Sequence, residues 1–127
     1  MRRGLLLFAH GARDPRWAEP FEAVAAAARR HEPSWTVQLA FLEFMTPTLI
    51  DAGHALAGAG CTRVDVVPLF LGAGGHVRKD LPLLLDELRA AHPGLRWQLQ
   101  RAIGEQAGVV DAMAHAAVFN LSDDLPT

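Results

Sequence analysis

The sequence predicts a one-domain α/β protein with a doubly wound, four-stranded parallel sheet in the strand order 2-1-3-4. Segments with strand character alternate with amphipathic segments along the chain, which is typical of parallel strands joined by right-handed helical crossovers. Two of the strand segments are continuously apolar, whereas the other two alternate between apolar and polar residues. Continuous apolar runs indicate central strands and alternating runs indicate edge strands. The direction of winding therefore reverses between strands 1 and 3, and ligands of such sheets bind at that point.

Two strand–helix units are predicted in the first half of the chain. Leu5 to Ala9 is a continuous apolar run, and a loop follows it because glycine and Asp-Pro signals come next. The following helix should start near Glu19, with an inner face made of Trp17, Phe21, Val24 and Ala28. Trp35 to Leu42 alternates and predicts a strand with one less buried face. Thr46-Pro47 is interpreted as the N-cap and first residue of the next helix.

Two further units are predicted in the second half. Gly58 or Gly60 can end the second helix, and the apolar strand Val64 to Val67 follows. Because Pro68 lacks an amide donor, regular pairing on one side should stop near Val67. The third helix carries an inward face of Leu81, Leu84, Leu85 and Leu88. The fourth strand alternates through Leu95, Trp97 and Leu99. The last helix has Val109, Met113 and Ala116 on one face. Residues 1–120 should form one domain, and residues 121–127 should be a frayed tail.

Composition excludes several classes of protein. A chain of 127 residues with a formal net charge of -2 has no global field that would recruit nucleic acid. The single cysteine, Cys61, cannot form an internal disulfide and fits a reducing compartment. No apolar run approaches the roughly 18 residues of a membrane span. We therefore expect a soluble cytoplasmic protein that binds neither nucleic acid nor a membrane.

Two of the six histidines stand out because both are predicted at the rim, the edge of the sheet where the parallel strands end. His10 follows strand 1, and His76 follows strand 3 at the start of the next helix. Strands 1 and 3 are neighbours at the switch point, so the topology predicts that the two imidazoles lie close together. The remaining histidines, which fall in helices or at helix ends, are interpreted as ordinary surface residues: His31, His54, His92 and His115.

Charged residues and glycines at the same rim extend this candidate site. Two neutral imidazoles with a carboxylate nearby suit Co²⁺, Ni²⁺, Fe²⁺ or Zn²⁺, and Glu43 at the end of strand 2 could supply that carboxylate. The cations that follow the two histidines could neutralise an anionic substrate rich in carboxylates; they are Arg13, Arg16, Arg78 and Lys79. The backbone amides of the loop Gly72-Ala73-Gly74-Gly75 could hold an anion. This loop matches no nucleotide-binding fingerprint.

Three segments together resemble the class II chelatases, and in particular the short sirohydrochlorin cobaltochelatases of CbiX type. They are His10 to Trp17, Phe41 to Glu43, and Val67 to Pro82, and the resemblance extends over nearly the whole chain. It implies a flavodoxin-like single chelatase lobe, with the metal-site histidines at His10 and His76 and the rim glutamate at Glu43. Many members have serine after His-Gly, whereas this chain has Ala12.

The resemblance also implies an activity. The enzyme would be a metal chelatase, a lyase that inserts Co²⁺, or alternatively Ni²⁺ or Fe²⁺, into sirohydrochlorin for cobalamin or sirohaem biosynthesis. His10, His76 and Glu43 would be catalytic: the two histidines would hold the metal or take a pyrrole proton, and Glu43 would assist as a base or a ligand. The tetrapyrrole carboxylates would meet Arg13, Arg78, Lys79, Gly74 and Gly75. The metal ion is a substrate, no permanent cofactor is needed, and the short members of the family pair as homodimers.

Two other functions compete with this interpretation. A non-catalytic metal-binding or metal-delivery protein would use the same two histidines, and only binding of a tetrapyrrole separates it from a chelatase. A phosphotransfer domain of flavodoxin-like fold would require an aspartate at the end of a central strand. The sequence has His10 at that position, which disfavours phosphotransfer.

Overall fold

The computed structural model describes residues 2–72 and 74–121, except for the side chain of residue 76. From residue 122 onward, the predicted tail lies outside the described residues. The parallel strands pair in the order β2-β1-β3-β4, which confirms the predicted sheet. The elements are β1 (Arg2–Ala9), a 3₁₀ turn (Pro15–Ala18), α1 (Glu19–His31), β2 (Thr36–Phe41), α2 (Leu49–Gly58), β3 (Cys61–Pro68), α3 (Gly75–Ala91), β4 (Arg96–Leu99), a second 3₁₀ turn (Ile103–Glu105) and α4 (Ala107–Phe119).

Helices cover both faces of the sheet, so the two central strands are buried on each side. α2 and α3 pack on one face around Leu6, Phe8, Val64 and Val66, none of which is more than 1% exposed. α1 packs on the opposite face, which carries the alternate residues of β1, such as Leu7. Because successive side chains of a strand point to opposite faces, this two-sided burial explains the continuous apolar run of β1 and the apolar residues on both sides of Asp65 in β3.

Pro68 ends the pairing of β3 on the β4 side only. The N–H of Gln100 donates to the carbonyl of Val66 at 2.9 Å, and pairing with β4 goes no further than Val66 and Leu99. On the other side, Pro68 pairs with Phe8, and the next N–H, that of Leu69, donates to the Phe8 carbonyl at 2.7 Å. Since consecutive amides alternate in direction, the nitrogen of Pro68 faces β4, where the donor is missing.

The predicted start of α2 is wrong by two residues. The N-cap is Thr48, whose hydroxyl accepts the N–H of Asp51 at 3.2 Å. Pro47 precedes the helix because its carbonyl accepts the N–H of Phe41 at 2.9 Å and therefore still extends the pairing of β2. The Thr46–Pro47 peptide bond is cis. At the other end of α2, Gly60 has a φ of 87°, the left-handed conformation with which many helices end.

The outer helices also differ from the predicted faces. Of the predicted inner face of α1, Trp17, Phe21 and Ala28 pack against the core, but Val24 is 45% exposed and Ala25 is buried in its place. α4 forms where the last helix is predicted, but none of its residues is buried. After β4 the chain crosses the rim, where the N–H of Gly104 donates to the Phe70 carbonyl at 2.9 Å. α4 then continues without packing on the sheet, because its apolar residues meet no second layer.

One carboxylate is buried on the sheet. Asp65 on β3 is 4% exposed and accepts hydrogen bonds from Arg3 at 2.9 Å, Gln100 at 3.0 Å and Arg63 at 3.3 Å. Burial alone raises the pKa of Asp65, but the bonds from the two guanidinium groups and the amide outweigh it and hold the pKa below its ordinary value. Asp65 therefore joins β1, β3 and the end of β4 through its ionised form.

We expect Asp65→Asn to lower the free energy of unfolding at pH 7 by about 1–3 kcal/mol, since two half-exposed guanidinium groups lose their carboxylate. The depressed pKa also predicts the pH dependence. The contribution of Asp65 is present above the unfolded-state pKa, about 3.9, and is lost as the pH falls through the lower folded-state pKa. Urea unfolding at pH 7 and pH 3 measures both effects. Equal stability of the two proteins at pH 7 would contradict this account.

None of the helices within residues 2–72 and 74–121 combines the length and apolar composition that a membrane span requires.

Candidate functional site

The register of the sheet brings the ends of three strands together at the rim. Ala9 pairs with Phe41, and Phe8 pairs with Pro68, so the residues that leave these strands are neighbours. The first residue after β1 is His10. On one side of it the N–H of Leu42 donates to the Ala9 carbonyl at 2.9 Å, which continues the ladder past the last paired residues.

The ring of His10 lies against the ring of Phe70, which follows β3. Their centroids are 4.4 Å apart and the rings are inclined by 37°. Phe70 is 4% exposed and also contacts Phe8, at a centroid distance of 5.9 Å, so it belongs to the core. His10 itself is exposed at the rim. One face of the imidazole is therefore supported by a fixed aromatic ring while solvent can reach the side chain.

Gly11 allows the loop after β2 to approach His10 closely. Gly11 has a φ of 88°, and a Cβ atom built on it would overlap the carbonyl oxygen of Glu43. In the observed arrangement, the N–H of Glu43 donates to the His10 carbonyl at 3.0 Å. A glycine is required here for two reasons, the left-handed backbone and the absence of space. The result is that the Glu43 backbone is attached directly beside His10.

His10 and Glu43 line one cavity of about 410 Å³, together with Leu42, Gly74 and Val77. We call this space the rim cavity. Gly74 is the N-cap of α3, and no acidic residue occupies the first turn of that helix. The rim cavity thus combines an imidazole, a carboxylate and the positive end of a helix on a partly apolar floor.

His76 is the second residue of α3, so its backbone lies in the first helical turn next to the N-cap. Its side chain lies outside the described residues, as does Ala73 in the glycine loop. Gly74 and Gly75 are exposed, and the space beside their Cα atoms is open. The sequence-based placement of His76 at the start of the helix, close to the rim, agrees with the backbone.

The predicted cations are distributed around the rim cavity rather than inside it. Arg13 is exposed, and its guanidinium lies over the Phe44 ring at 4.8 Å. Arg78 forms an ion pair with Glu105 at 3.7 Å and lines a neighbouring groove of about 360 Å³. Lys79 is the fifth residue of α3 and is exposed.

Arg16 pairs with Asp14 at 2.9 Å, and hydrogen bonds from its guanidinium and from its backbone N–H lower the pKa of the Asp14 carboxyl. Both residues are exposed at the start of the first 3₁₀ turn, where Asp14 is the N-cap. Arg16 therefore has a local structural role in capping this turn.

The sequence reasoning missed Phe70, Leu42 and Val77 as parts of the site. Phe70 carries a usable signal, because it lies two residues after a central strand, where that strand should reach the same rim as His10. Leu42 and Val77 carry no comparable signal, since apolar residues beside a strand end or in a helix are usually assigned to the core.

The described side chains at the rim cavity include two potential metal donors, His10 and Glu43. Among the side chains that the structure describes, no group of three or more His, Cys, Asp or Glu residues is arranged to hold a metal ion. His10 and Glu43 supply one nitrogen donor and one oxygen donor beside the start of α3. Such a site leaves coordination positions open, as a site that exchanges its metal requires.

The family model that matches this chain is that of CbiX, over residues 4–118. The sirohydrochlorin cobaltochelatase of Saccharolobus solfataricus is 37% identical over 124 residues, with 94% of each chain covered. That of Methanococcoides burtonii is 33% identical over 82 residues, which cover 65% of this chain and 63% of the relative. In this second case, the chain matches less than two thirds of the relative's length.

A solved structure has the same fold. The sirohydrochlorin chelatase SirB of Bacillus subtilis subspecies spizizenii, crystallised in complex with cobalt, superposes with a TM-score of 0.80 at 26% identity. The match covers 92% of this chain and 50% of that one. The described fold therefore corresponds to about half of that protein.

Proposed function

Because the chain belongs to the CbiX family, we propose that it is a chelatase that inserts Co²⁺, or alternatively Ni²⁺ or Fe²⁺, into sirohydrochlorin. The observation that carries this proposal is the rim cavity, where His10 and Glu43 lie together at the start of α3. The names of the relatives point to the same reaction. The product would serve a pathway of the cobalamin or sirohaem type.

The reaction exchanges one divalent ion for two protons. A metal-free tetrapyrrole carries two pyrrole N–H groups, and both protons must leave when four nitrogens bind M²⁺. We assign His10 and His76 as ligands that hold the incoming ion with open positions. Glu43 is the base that receives the two pyrrole protons in turn and passes each to solvent; its exposure and its position in the same cavity as His10 support this role. The ion is a substrate, and no resident cofactor is required.

The carboxylates of the tetrapyrrole would be bound around the cavity. The amides of Gly74 and Gly75 begin α3, where the helix dipole favours an anion. Arg13, Arg78 and Lys79 are exposed close by and supply positive charge. The ion pair between Arg78 and Glu105 is long, at 3.7 Å, and both side chains reach solvent. A substrate carboxylate could therefore replace Glu105 as the partner of Arg78.

The experiment that tests the function is an insertion assay with purified protein, sirohydrochlorin and Co²⁺, followed by absorbance. We expect Glu43→Gln to keep most of the cobalt affinity and to insert cobalt about 100-fold more slowly, because the amide cannot accept the proton. Glu87→Gln, an exposed glutamate on α3, is the matched control and should insert at the wild-type rate. Equal loss of affinity and rate in Glu43→Gln would make Glu43 a ligand instead. Cobalt binding without insertion by the wild type would favour a metal-delivery protein.

We also propose that residues 1–120 form one lobe that works as a homodimer in the cytoplasm, with neither nucleic acid nor membrane as a partner. The rim cavity is open to solvent, and a tetrapyrrole needs a more enclosed cleft. The exposed apolar end of α4 also supports a dimer. Val118 and Phe119 in the last turn are 62% and 71% exposed, and Leu121 beyond the helix end is 79% exposed. A 13-residue helix is marginal in water on its own, so an apolar one needs a partner surface. A second copy would supply both the cover and that surface.

Light scattering at micromolar concentration should therefore give the mass of a dimer. The double substitution of Val118 and Phe119 by Asp should yield monomers, because two charges would enter the apolar contact. Val24→Asp is the control, since Val24 is also exposed but lies on α1. A monomeric wild-type protein with full insertion activity would contradict the dimer and leave the chelatase proposal intact.

A further inference from the structure

A pair of histidines lies far from the rim cavity. His54 is on α2, and His92 is the C-cap of α3. The His54 Nδ1 and His92 Nε2 atoms are 2.7 Å apart, and the two rings are inclined by 67° with centroids 5.0 Å apart. α3 has 17 residues and begins at the rim. Its length, about 25 Å at the helical rise per residue, separates the pair from the rim cavity.

A close helix crossing places these two histidines together. Gly53 is the crossing point, because a Cβ atom there would lie only 2.6 Å from the Leu88 Cδ2 atom. His54 directly follows Gly53 in the chain. His92 is one helical turn beyond Leu88, and its N–H donates to the Leu88 carbonyl at 2.9 Å. Since the backbone of both helices is fixed at this crossing, the two imidazoles are held as neighbours by the fold.

We propose that His54 and His92 form a second site for a divalent transition-metal ion. Imidazole nitrogens bind such ions at about 2.0–2.1 Å, so two adjacent nitrogen ligands lie about 2.9–3.4 Å apart. The observed separation of 2.7 Å needs to increase by only a few tenths of an ångström. His54 is exposed and His92 half-buried, so both rings can adjust and water can fill the remaining positions.

The chemistry of the pair selects the class of ion. The separation of 2.7 Å is a hydrogen-bond distance, so the two ring nitrogens face each other. A metal ion bound between the rings would have both nitrogens as ligands. Two imidazoles favour Cu²⁺, Ni²⁺, Co²⁺ or Zn²⁺ over Mg²⁺ or Ca²⁺, which prefer oxygen ligands. The site does not depend on the proposed chelatase activity.

The structure provides a reporter for this site. The His92 ring centroid is 6.2 Å from that of Trp97, so a paramagnetic ion bound to the pair should quench Trp97 fluorescence. The test uses the full chain without an affinity tag, in a background with Trp17→Phe and Trp35→Phe that leaves Trp97 as the reporter. Titration with Ni²⁺ should quench the emission saturably with one ion per chain. His54→Ala and His92→Ala should each raise the midpoint about tenfold or more, because one of two ligands is lost.

Matched variants separate this site from the rim cavity and from general surface binding. His31→Ala removes an exposed histidine at the end of α1 and should leave the midpoint unchanged. His10→Ala should also leave it unchanged, and Mg²⁺ should not quench. Circular dichroism verifies that each variant is folded. A parent-like midpoint in folded His54→Ala, or quenching that disappears in His10→Ala, would overturn the proposal. Cobalt insertion by His54→Ala should equal that of the parent, so the two proposals fail separately.

Discussion

His10→Ala should lower the rate of cobalt insertion by about 100-fold and weaken cobalt binding by about tenfold or more. The imidazole is exposed at the mouth of the rim cavity with one face against Phe70 at 4.4 Å. Few other donors are available in this cavity, so alanine removes a large share of the coordination. The fold should be retained, because an exposed side chain is removed while Phe70 stays in the core. Insertion rates from absorbance and cobalt affinity from calorimetry measure the two effects.

His76→Ala should cause a loss of similar size, since His76 lies in the first turn of α3 next to the cavity. If both histidines hold the same ion, the double variant should be only slightly worse than either single variant, because ligands of one site act as a unit. His31→Ala is the better control than His92→Ala, since His92 contacts His54 and has its own expected affinity for metal. Wild-type insertion rates in both His10→Ala and His76→Ala would refute the assignment of the rim cavity as the insertion site.

Gly11→Ala should destabilise the protein and also abolish most of the insertion activity. Gly11 has a left-handed backbone conformation, and a residue with a Cβ atom in that conformation lowers the free energy of unfolding by about 1–2 kcal/mol. The overlap with the Glu43 carbonyl oxygen adds to this cost, because a backbone atom cannot simply rotate away. We expect a total loss of at least about 3 kcal/mol in the free energy of unfolding, as measured with urea. The displaced Glu43 would also leave its position beside His10.

The chain contains a matched control that separates the two contributions. Gly60 has a φ of 87°, nearly that of Gly11, but nothing lies within 4 Å of a Cβ atom built there. In Gly60→Ala, therefore, the free energy of unfolding should fall by only about 1–2 kcal/mol, from the left-handed backbone alone, and the insertion rate should be unchanged. If Gly11→Ala were no less stable than Gly60→Ala, the close approach of Gly11 to Glu43 would have no energetic importance.

The sheet and the position of the site could be predicted because burial leaves a local pattern. Strands buried on both faces, such as β1, are continuously apolar, and the half-exposed β4 alternates. The strand order follows from that difference, and with it the proximity of His10, Glu43 and the start of α3. Phe70 could have been included by the same argument.

The sequence-based predictions were wrong where a residue's hydrogen-bond or packing partner lies outside its own segment. Pro47 has the local signature of a helix start. Its carbonyl, however, accepts the N–H of Phe41, so the helix begins only at Leu49. The spacing of apolar residues predicts α4 correctly as a helix, but this spacing cannot report which surface the helix packs against. Only the structure reveals that none of its residues is buried.

The sequence by itself therefore determined the elements, their order in the sheet and the edge at which His10 and Glu43 meet. Each of these depends on periodic burial or on topology, both of which are written along the chain. The tertiary structure alone decided the contact of His54 with His92, which are 38 positions apart. That contact depends on how closely two helices cross at Gly53. A crossing distance is set jointly by both helices and the sheet beneath them, so no single segment encodes it.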